Sequence, residues 1–446
     1  MEVVHPRVAG LDVHMKSVTV CARLQQGAQA HTEVRTFQTM TGDIHSMMSW
    51  LKAKGITAVA MEATGVYWKP IWNLMEDQFE LLLCNPAHMK QVPGRKTDVS
   101  DAEWIASLHA HGLLRPSFIP DRDQRDFRDL ARMRWKTTCH KTAVSNRIAK
   151  VLEDANIKLG SVASDILGVS GRQMLQALVD GRDDPDQLAE LAKGRLRKKL
   201  GDLRAAMEGR VTDHHRFMLR FYLNQLNNLE ADIAELSERI RLLLEQNHEK
   251  VRGETPAGEQ GDLDNPFEPP PPLTMKEAVV LLTTMPGVNE LMGERIIAEI
   301  GPDMSVFPTS GNLASWAALA SPNNKTAGRQ KSGSRGKKKG NAWLRGAMSQ
   351  AACAGAVKKG SYIKARHNRL VSRIGRPKAV VALAHAMLRW IHHMLRWHAP
   401  WDDKGGDYFD KRDRTKIKTK LVKRLESMGY TVQIGETAAT QEPAFS

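Results

Sequence analysis

Four carboxylates in the first quarter of this 446-residue chain are flanked and spaced as ligands of a hard metal ion would be. Asp12 stands in Val8-Ala-Gly-Leu-Asp-Val13, an otherwise apolar run. An ionised carboxylate is costly to bury there unless it is paired or binds a cation. Glu62 closes a second strand-like run, Ile56 to Glu62. Asp98 and Asp101, in Lys96-Thr-Asp-Val-Ser-Asp101, open a helical pattern extending from about Val99 to His111. Their i, i+3 spacing would set both on one face, at the end where the helix dipole favours negative charge. Four such oxygen ligands suit one or two Mg²⁺ ions, which grip phosphate oxygens and promote in-line displacement. Each acid alone has a plainer role: Asp98 as an N-cap, Asp101 as a first-turn acid, Asp12 as a turn-adjacent surface residue. His14 and His88, near the acids in sequence, read as surface or packing residues.

A second chemistry lies far along the chain. Between Asp303 and Asp402 there is no acidic residue, yet 18 of the 65 Lys and Arg fall there, leaving 47 against 50 Asp and Glu elsewhere. The net charge of +15 therefore sits in one block, the footprint of a polyanion such as nucleic acid. Within it, Ser321 to Asn341 holds seven cations (Lys325, Arg329, Lys331, Arg335, Lys337, Lys338, Lys339) and four glycines, with Arg345 just beyond. Glycines admit a nucleic-acid strand closely, and Lys and Arg hold its phosphates. A hydroxyl in that setting has a stabilised alkoxide and a phosphodiester within reach, as a nucleophile for strand transfer needs. The plainer reading is a loop that only holds DNA. A further basic run spans Lys358 to Lys378, and Trp343 and Trp390 either stack on bases or pack in the core. Met285-Pro-Gly-Val288 followed by Gly293 to Gly301 reads as helix, turn, helix, resembling a hairpin that offers backbone N–H groups to phosphate.

The elements that must position these residues read as follows. Val8–Val13, Ser17–Ala22 and Glu33–Phe37 alternate as strands, and a helix opens at Thr41 and ends at Gly55. Then come the Ile56–Glu62 strand, a helix rich in Tyr and Trp, a Phe79–Cys84 strand and the Val99–His111 helix. That order is α/β and compatible with a RuvC or ribonuclease-H-like fold. Residues 121 to 250 read as helical, with Tyr222, Leu226, Leu229, Ile233, Leu236, Ile240 and Leu243 forming a heptad seam. The seam fits a coiled coil between chains or a helical hairpin within one. The expected layout is a RuvC-like domain over 1–118 and a helical or coiled-coil region over 119–250. A Pro-rich disordered linker over 251–274, a mainly helical C-terminal domain over 275–400 and a tail over 401–446 follow. Four dispersed cysteines without a CxxC pair exclude a zinc ribbon or a disulfide framework. No apolar run spans a bilayer, and a cytoplasmic location without membrane partners is expected.

Taken together, the chain resembles the insertion-sequence-110 family of transposases, and within it the subgroup named after insertion sequence 1111. The residues that carry the resemblance run from Gly10 to His393. They include Gly10-Leu-Asp-Val-His, Met61-Glu-Ala-Thr-Gly-Val-Tyr-Trp, Asn85-Pro, Lys96-Thr-Asp-Val-Ser-Asp-Ala, Met285-Pro-Gly-Val and Lys339-Gly-Asn-Ala-Trp-Leu-Arg. The resemblance implies a DEDD metal site on Asp12, Glu62, Asp98 and Asp101, using Mg²⁺. It also implies a covalent link between DNA and a serine of the C-terminal domain, in a composite site formed between subunits. A homodimer or tetramer and, in some members, a guide RNA encoded by the element are implied as well. The family's Ser-Ala-Gly or Ser-Ser-Gly signature falls here on Thr326-Ala-Gly. Threonine keeps the hydroxyl but adds a methyl group and stiffens χ1, so Thr326 is the expected nucleophile and Ser332 the alternative.

Three functions compete on this reading. One is a recombinase that joins DNA through a hydroxyl nucleophile. Another is a Mg²⁺-dependent nuclease of the Holliday-junction-resolvase kind, and the third a non-catalytic nucleic-acid-binding protein.

Overall fold

The computed structural model describes residues 3–27, 29–62, 65–89, 92, 100–254, 270–320, 325–326, 329–330 and 340–433, with backbone alone at 87, 88, 254, 325, 326, 329, 330, 416 and 417. The chain divides into two units, Met1–Pro120 and Asp121–Ser446.

The first unit runs β1 (Arg7–Val13), β2 (Ser17–Gln26), β3 (Gln29–Gln38), α1 (Thr41–Ala53), β4 (Ala58–Glu62), α2 (Trp68–Met75), β5 (Glu80–Cys84), α3 (Pro86–Met89) and α4 (Asp101–Ala110). The sheet order is β3-β2-β1-β4-β5. β1 and β3 lie antiparallel to β2, while β4 lies parallel to β1 and to β5. Parallel pairs need a crossover rather than a tight turn, and α1 and α2 supply it. Strand alternation sends Leu11, Val13, Val59 and Met61 to one face, where Ile44, Met47 and Leu51 of α1 and Ile71 and Met75 of α2 cover them.

The other face is built for close approach. Gly10 and Ala60 are partners in register, and α4 lies over them. A Cβ on Gly10 would stand 2.3 Å from the Ala102 carbonyl oxygen and 2.4 Å from the Ala106 nitrogen. Cys21, opposite Gly10 on β2, packs with the same two alanines.

α4 starts later than its sequence pattern predicts. Ser100 is extended (φ −62°, ψ 155°) and caps the helix, its Oγ accepting from the Glu103 amide while the Glu103 carboxylate accepts from the Ser100 amide. The helix thus begins at Asp101 rather than near Val99. The Ser-x-x-Glu capping box sets the boundary instead. Asp98 itself lies outside the described residues.

The second unit is mostly helical. It runs α5 (Arg122–Asp154), α6 (Leu159–Val162), α7 (Val169–Val179), α8 (Pro185–Glu190), α9 (Leu200–Met207) and α10 (Asp213–Glu254). After these come α11 (Met275–Thr283), α12 (Glu290–Ile300), α13 (Ser310–Trp316), the two-residue strands β6 (Lys325–Thr326) and β7 (Arg329–Gln330), α14 (Ala342–Val357), α15 (Tyr362–Ile374), α16 (Arg376–Trp397), α17 (Tyr408–Arg412) and α18 (Arg414–Ser427). α5 and α10 form an antiparallel pair within the chain: Asp123 meets Lys250, Arg134 meets Ser237 and Lys141 meets Glu230. Of the heptad positions, Leu226 and Ile240 are buried and the others half-buried. α6 to α9 close over one end of the pair, around Ile148, Leu152, Met174, Leu178 and Leu223.

Residues 251–254, read as the start of the linker, continue α10, and Thr274 caps α11 through a second capping box with Glu277. Residues 255–269 lie outside the described residues. The Pro286-Gly287 turn between α11 and α12 is packed inward. Gly287 (φ 93°) has the Ala351 carbonyl oxygen 2.4 Å and the Gly355 nitrogen 2.5 Å from where its Cβ would be, so α14 takes up the glycine. The tail beyond Gly405 carries α17 and α18, and residues 434–446 lie outside the described residues. Among the described residues, no helix is long and apolar enough to cross a membrane.

His109 ties the placement of α4 to pH. It is buried, 5.2 Å from the His5 ring, and burial followed by His5 pushes its pKa down from 6.5 to about 4. Above pH 6.5 the ring is neutral folded or unfolded. As pH falls from 6.5 towards 4 the unfolded chain takes up a proton that the folded one does not, which removes up to about 3 kcal/mol. We expect the urea midpoint of the first unit to fall between pH 7 and pH 5, and this drop to shrink in His109→Phe.

Candidate active site and nucleic-acid interface

Three of the four expected metal ligands share one face and one end of the sheet. Leu11 is opposite Met61 in the parallel β1–β4 register, so one residue on lie Asp12, next to last in β1, and Glu62, last in β4. By strand alternation both belong to the Gly10–Ala60 face that α4 covers. The amides of Val4 and His5 donate to the Ala110 carbonyl, which fixes the last residue of α4 near the start of β1. The first residue, Asp101, therefore lies towards the end that carries Asp12. Asp12 is 21% exposed, Glu62 half-buried and Asp101 exposed. Among the described residues no group of three His, Cys, Asp or Glu side chains is close enough to hold a metal ion.

The donors fit a hard cation by their chemistry. Carboxylate oxygens at a strand end, beside a capped helix start, are the ligand type that Mg²⁺ takes. The nearby thiols are not competitors. Burial, then the Glu62 charge, pushes Cys84 up to about 12, and burial, then Glu103, does the same to Cys21. Both stay protonated at neutral pH, and a thiol must ionise to bind metal. His14, expected to be a surface residue, has Nε2 3.2 Å from Asp12 Oδ2. It sits just past the end of β1 and is exposed, as its sequence position suggested. The side chain of His88 lies outside the described residues.

In the second unit, Thr326 and Arg329 are register partners across the β6–β7 pair, as are Lys325 and Gln330. The side chains of these four, and all of Lys331, Ser332, Arg335, Lys337, Lys338 and Lys339, lie outside the described residues. Arg345 is exposed on the first turn of α14. Trp343, two residues before it, is half-buried, with the Arg132 guanidinium 5.3 Å and the Lys136 ammonium 5.6 Å from its ring centre. Trp390 packs with Tyr362 and Trp401 and carries Arg366 at 5.4 Å.

Beneath this region lie two buried carboxylates that sequence reading did not find. Glu294 pairs with Arg134; burial raises the pKa of this glutamate while Arg134 opposes the rise. Glu299, 2% exposed, accepts from Arg132 Nε (2.7 Å) and Nη2 (2.8 Å) and from Asn341 Nδ2 (2.6 Å). Arg128 donates to the Ala298 and Glu299 carbonyls that end α12. The partners are more than 40 residues apart in sequence, so no local motif announces them.

Comparison with known proteins decides the family. A transposase model, that of the DEDD transposases of IS110, matches residues 9–157, and a model of the IS116/IS110/IS902 transposase family matches 279–368. Together they cover more than half of the chain, and between them they take in both sets of candidate residues. The chain belongs to the IS110 family of transposases. It is thus a DNA transposase, an enzyme of DNA recombination. No curated protein matches this transposase. Among solved structures, T. thermophilus RuvC in complex with Holliday junction substrate is similar over 25% of this chain and 100% of that one, at 18% identity and a TM-score of 0.20. A likeness that slight carries no argument.

The transposase depends on Gly10 for the approach of α4. Gly10→Ala must push α4 off the sheet, an overpacking cost of about 1–3 kcal/mol, and carries Asp101 away from the strand ends. Thermal unfolding should show the loss, and DNA strand cleavage should fall more steeply in Gly10→Ala than in Gly42→Ala, where a Cβ meets nothing within 4 Å.

Proposed function

We propose that this transposase cuts and rejoins the DNA of its element through a covalent threonine–DNA intermediate, assisted by Mg²⁺ at Asp12, Glu62, Asp98 and Asp101. The observation that carries the reading is that Asp12, Glu62 and Asp101 lie towards one end and one face of the first unit's sheet. The strand order 3-2-1-4-5 supports a RuvC-like, ribonuclease-H-like role for residues 1–118. Bound there, Mg²⁺ supplies Lewis-acid stabilisation of charge on a phosphate oxygen.

The chain's own residues do the rest. Thr326 Oγ1 attacks phosphorus, a P–O bond to threonine forms and one to a deoxyribose oxygen breaks. The threonine proton passes to solvent and the released oxygen takes one up. Ser332 is the alternative nucleophile. Lys325, Arg329, Lys331, Arg335, Lys337, Lys338, Lys339 and Arg345, in the acid-free block between Asp303 and Asp402, hold phosphates and stabilise the charge that develops. Within the family the chain falls in the insertion-sequence-1111-like subgroup. It works as a dimer or tetramer, and target and donor DNA are chosen by an RNA that the element encodes.

The test is trapping on a nicked duplex bearing the element's ends. We expect a protein–DNA adduct that Thr326→Ala abolishes and Ser332→Ala leaves in place. Free ends without any adduct would mean hydrolysis, and a nuclease instead. Asp12→Asn should slow strand cleavage on the order of 100- to 1,000-fold while DNA binding persists, and chelation of Mg²⁺ should have the same effect. DNA affinity should fall steeply between 50 and 200 mM salt, by about 10³-fold or more if six or more phosphates are contacted. A flat salt response would count against the basic block as the interface.

A further inference from the structure

We infer that Glu299 and Asn341 form a clamp that positions the segment carrying Thr326 for strand transfer, Glu299 acting through Asn341. The inference rests on the reading of that segment given above.

The two flanks of the segment are held at one place. The Asn341 amide donates to the Trp316 carbonyl at 3.1 Å. A Cβ on Gly340 would stand 2.6 Å from Ala318 Cβ and 2.7 Å from the Trp316 oxygen. Ala318 itself is left-handed (φ 52°), a conformation a non-glycine residue keeps only where its surroundings over-determine it. Residues 316–318 and 340–341 are thus one junction, from which the chain leaves and to which it returns.

Asn341 has more than one role at that junction. Its Oδ1 accepts from the Leu344 amide at 3.0 Å and caps α14, while its Nδ2 donates to Glu299 Oε2 at 2.6 Å. Capping needs only the first contact. The second ties the junction to a carboxylate that cannot easily move. Glu299 is gripped bidentately by Arg132, with Arg128 Nε at 3.7 Å, and the Arg132 guanidinium also lies over Trp343. A buried ion pair of this kind is rarely more stable than well-packed apolar side chains, so stability is a poor account of it. Fixed geometry is a better one. A nucleophile displaced by about 1 Å can lose on the order of 100-fold in rate, and the junction fixes both ends of the segment that bears the hydroxyl.

Deleting Glu299 would strand Arg132 and confuse misfolding with misplacement, so the test keeps both partners charged or polar. Asn341→Asp still caps a helix but sets a second carboxylate against Glu299. Glu299→Gln combined with Asn341→Asp reverses donor and acceptor and keeps a single negative charge across the pair. Each full-length variant is assayed with Mg²⁺ on the nicked duplex for total strand cleavage, covalent adduct, DNA affinity and thermal midpoint. We expect Asn341→Asp to slow cleavage about 10- to 100-fold with affinity within about twofold, and the double variant to recover to within about threefold of the parent. An unchanged rate in Asn341→Asp overturns the clamp. So does a loss that tracks the thermal midpoint and is not recovered in the double variant. Cleavage without adduct in the parent, with recovery in the double variant, refutes the threonine nucleophile and leaves the clamp standing.

Discussion

Gly10 has no side chain, and the backbone of α4 occupies the space where one would be. The arrangement of the first unit's acids follows from that contact. With α4 in backbone contact with β1, its capped first turn reaches the strand ends, and a helix start is one of the few places where extra negative charge is tolerated. Leu11, Val13, Val59 and Met61 anchor β1 and β4 from the opposite face and so hold the strands that carry Asp12 and Glu62. Site and core are thus the two faces of the same strands.

In the second unit the corresponding constraint is the burial of charge. Arg134 with Glu294, both buried, and half-buried Arg132 with buried Glu299 join α5 to α12. Breaking one partner from such a pair leaves an uncompensated buried charge, at about 3–5 kcal/mol. The pairs therefore act as register pins: α5 seats on α12 in the position that satisfies both or not at all. The same helix pairs antiparallel with α10 over most of its length, which makes α5 the spine shared by the helical cap of α6–α9 and the helices from α11 onward.

The basic block shows how far a charge census goes. Its acid-free run is plain in the sequence, yet its cations are not all available to phosphate. Arg369 bonds Asp413, a tail residue beyond the block, and lies over Phe409, while Arg366 lies over Trp390 and donates to the Tyr362 hydroxyl. Arg345 is exposed. Net positive charge is additive along the chain, whereas its allocation between internal partners and solvent is a matter of which helices meet.

Periodicity and residue type made the order of the first unit's elements legible, because strand alternation and helical spacing are local properties of the chain. The same holds for Asp12 within β1 and Glu62 at the end of β4, since a carboxylate in or closing an apolar run stands out. Boundaries were less legible. Val99 looked like a helix start until the Ser100–Glu103 box placed the start at Asp101, although that Ser-x-x-Glu pattern is written in the sequence. The heptad seam on α10 could not say whether its partner was another chain or α5, for a hydrophobic stripe records that something covers it and not what does. Glu299 and Asn341, 42 residues apart, carried no signal at all. The sequence by itself determined which segments form strands and helices and where charge accumulates, because those depend on near neighbours. Only the tertiary structure decided which acids share a face, which cations are already engaged and what holds the ends of the basic segment, because each depends on distant parts of the chain packing to within bonding distance.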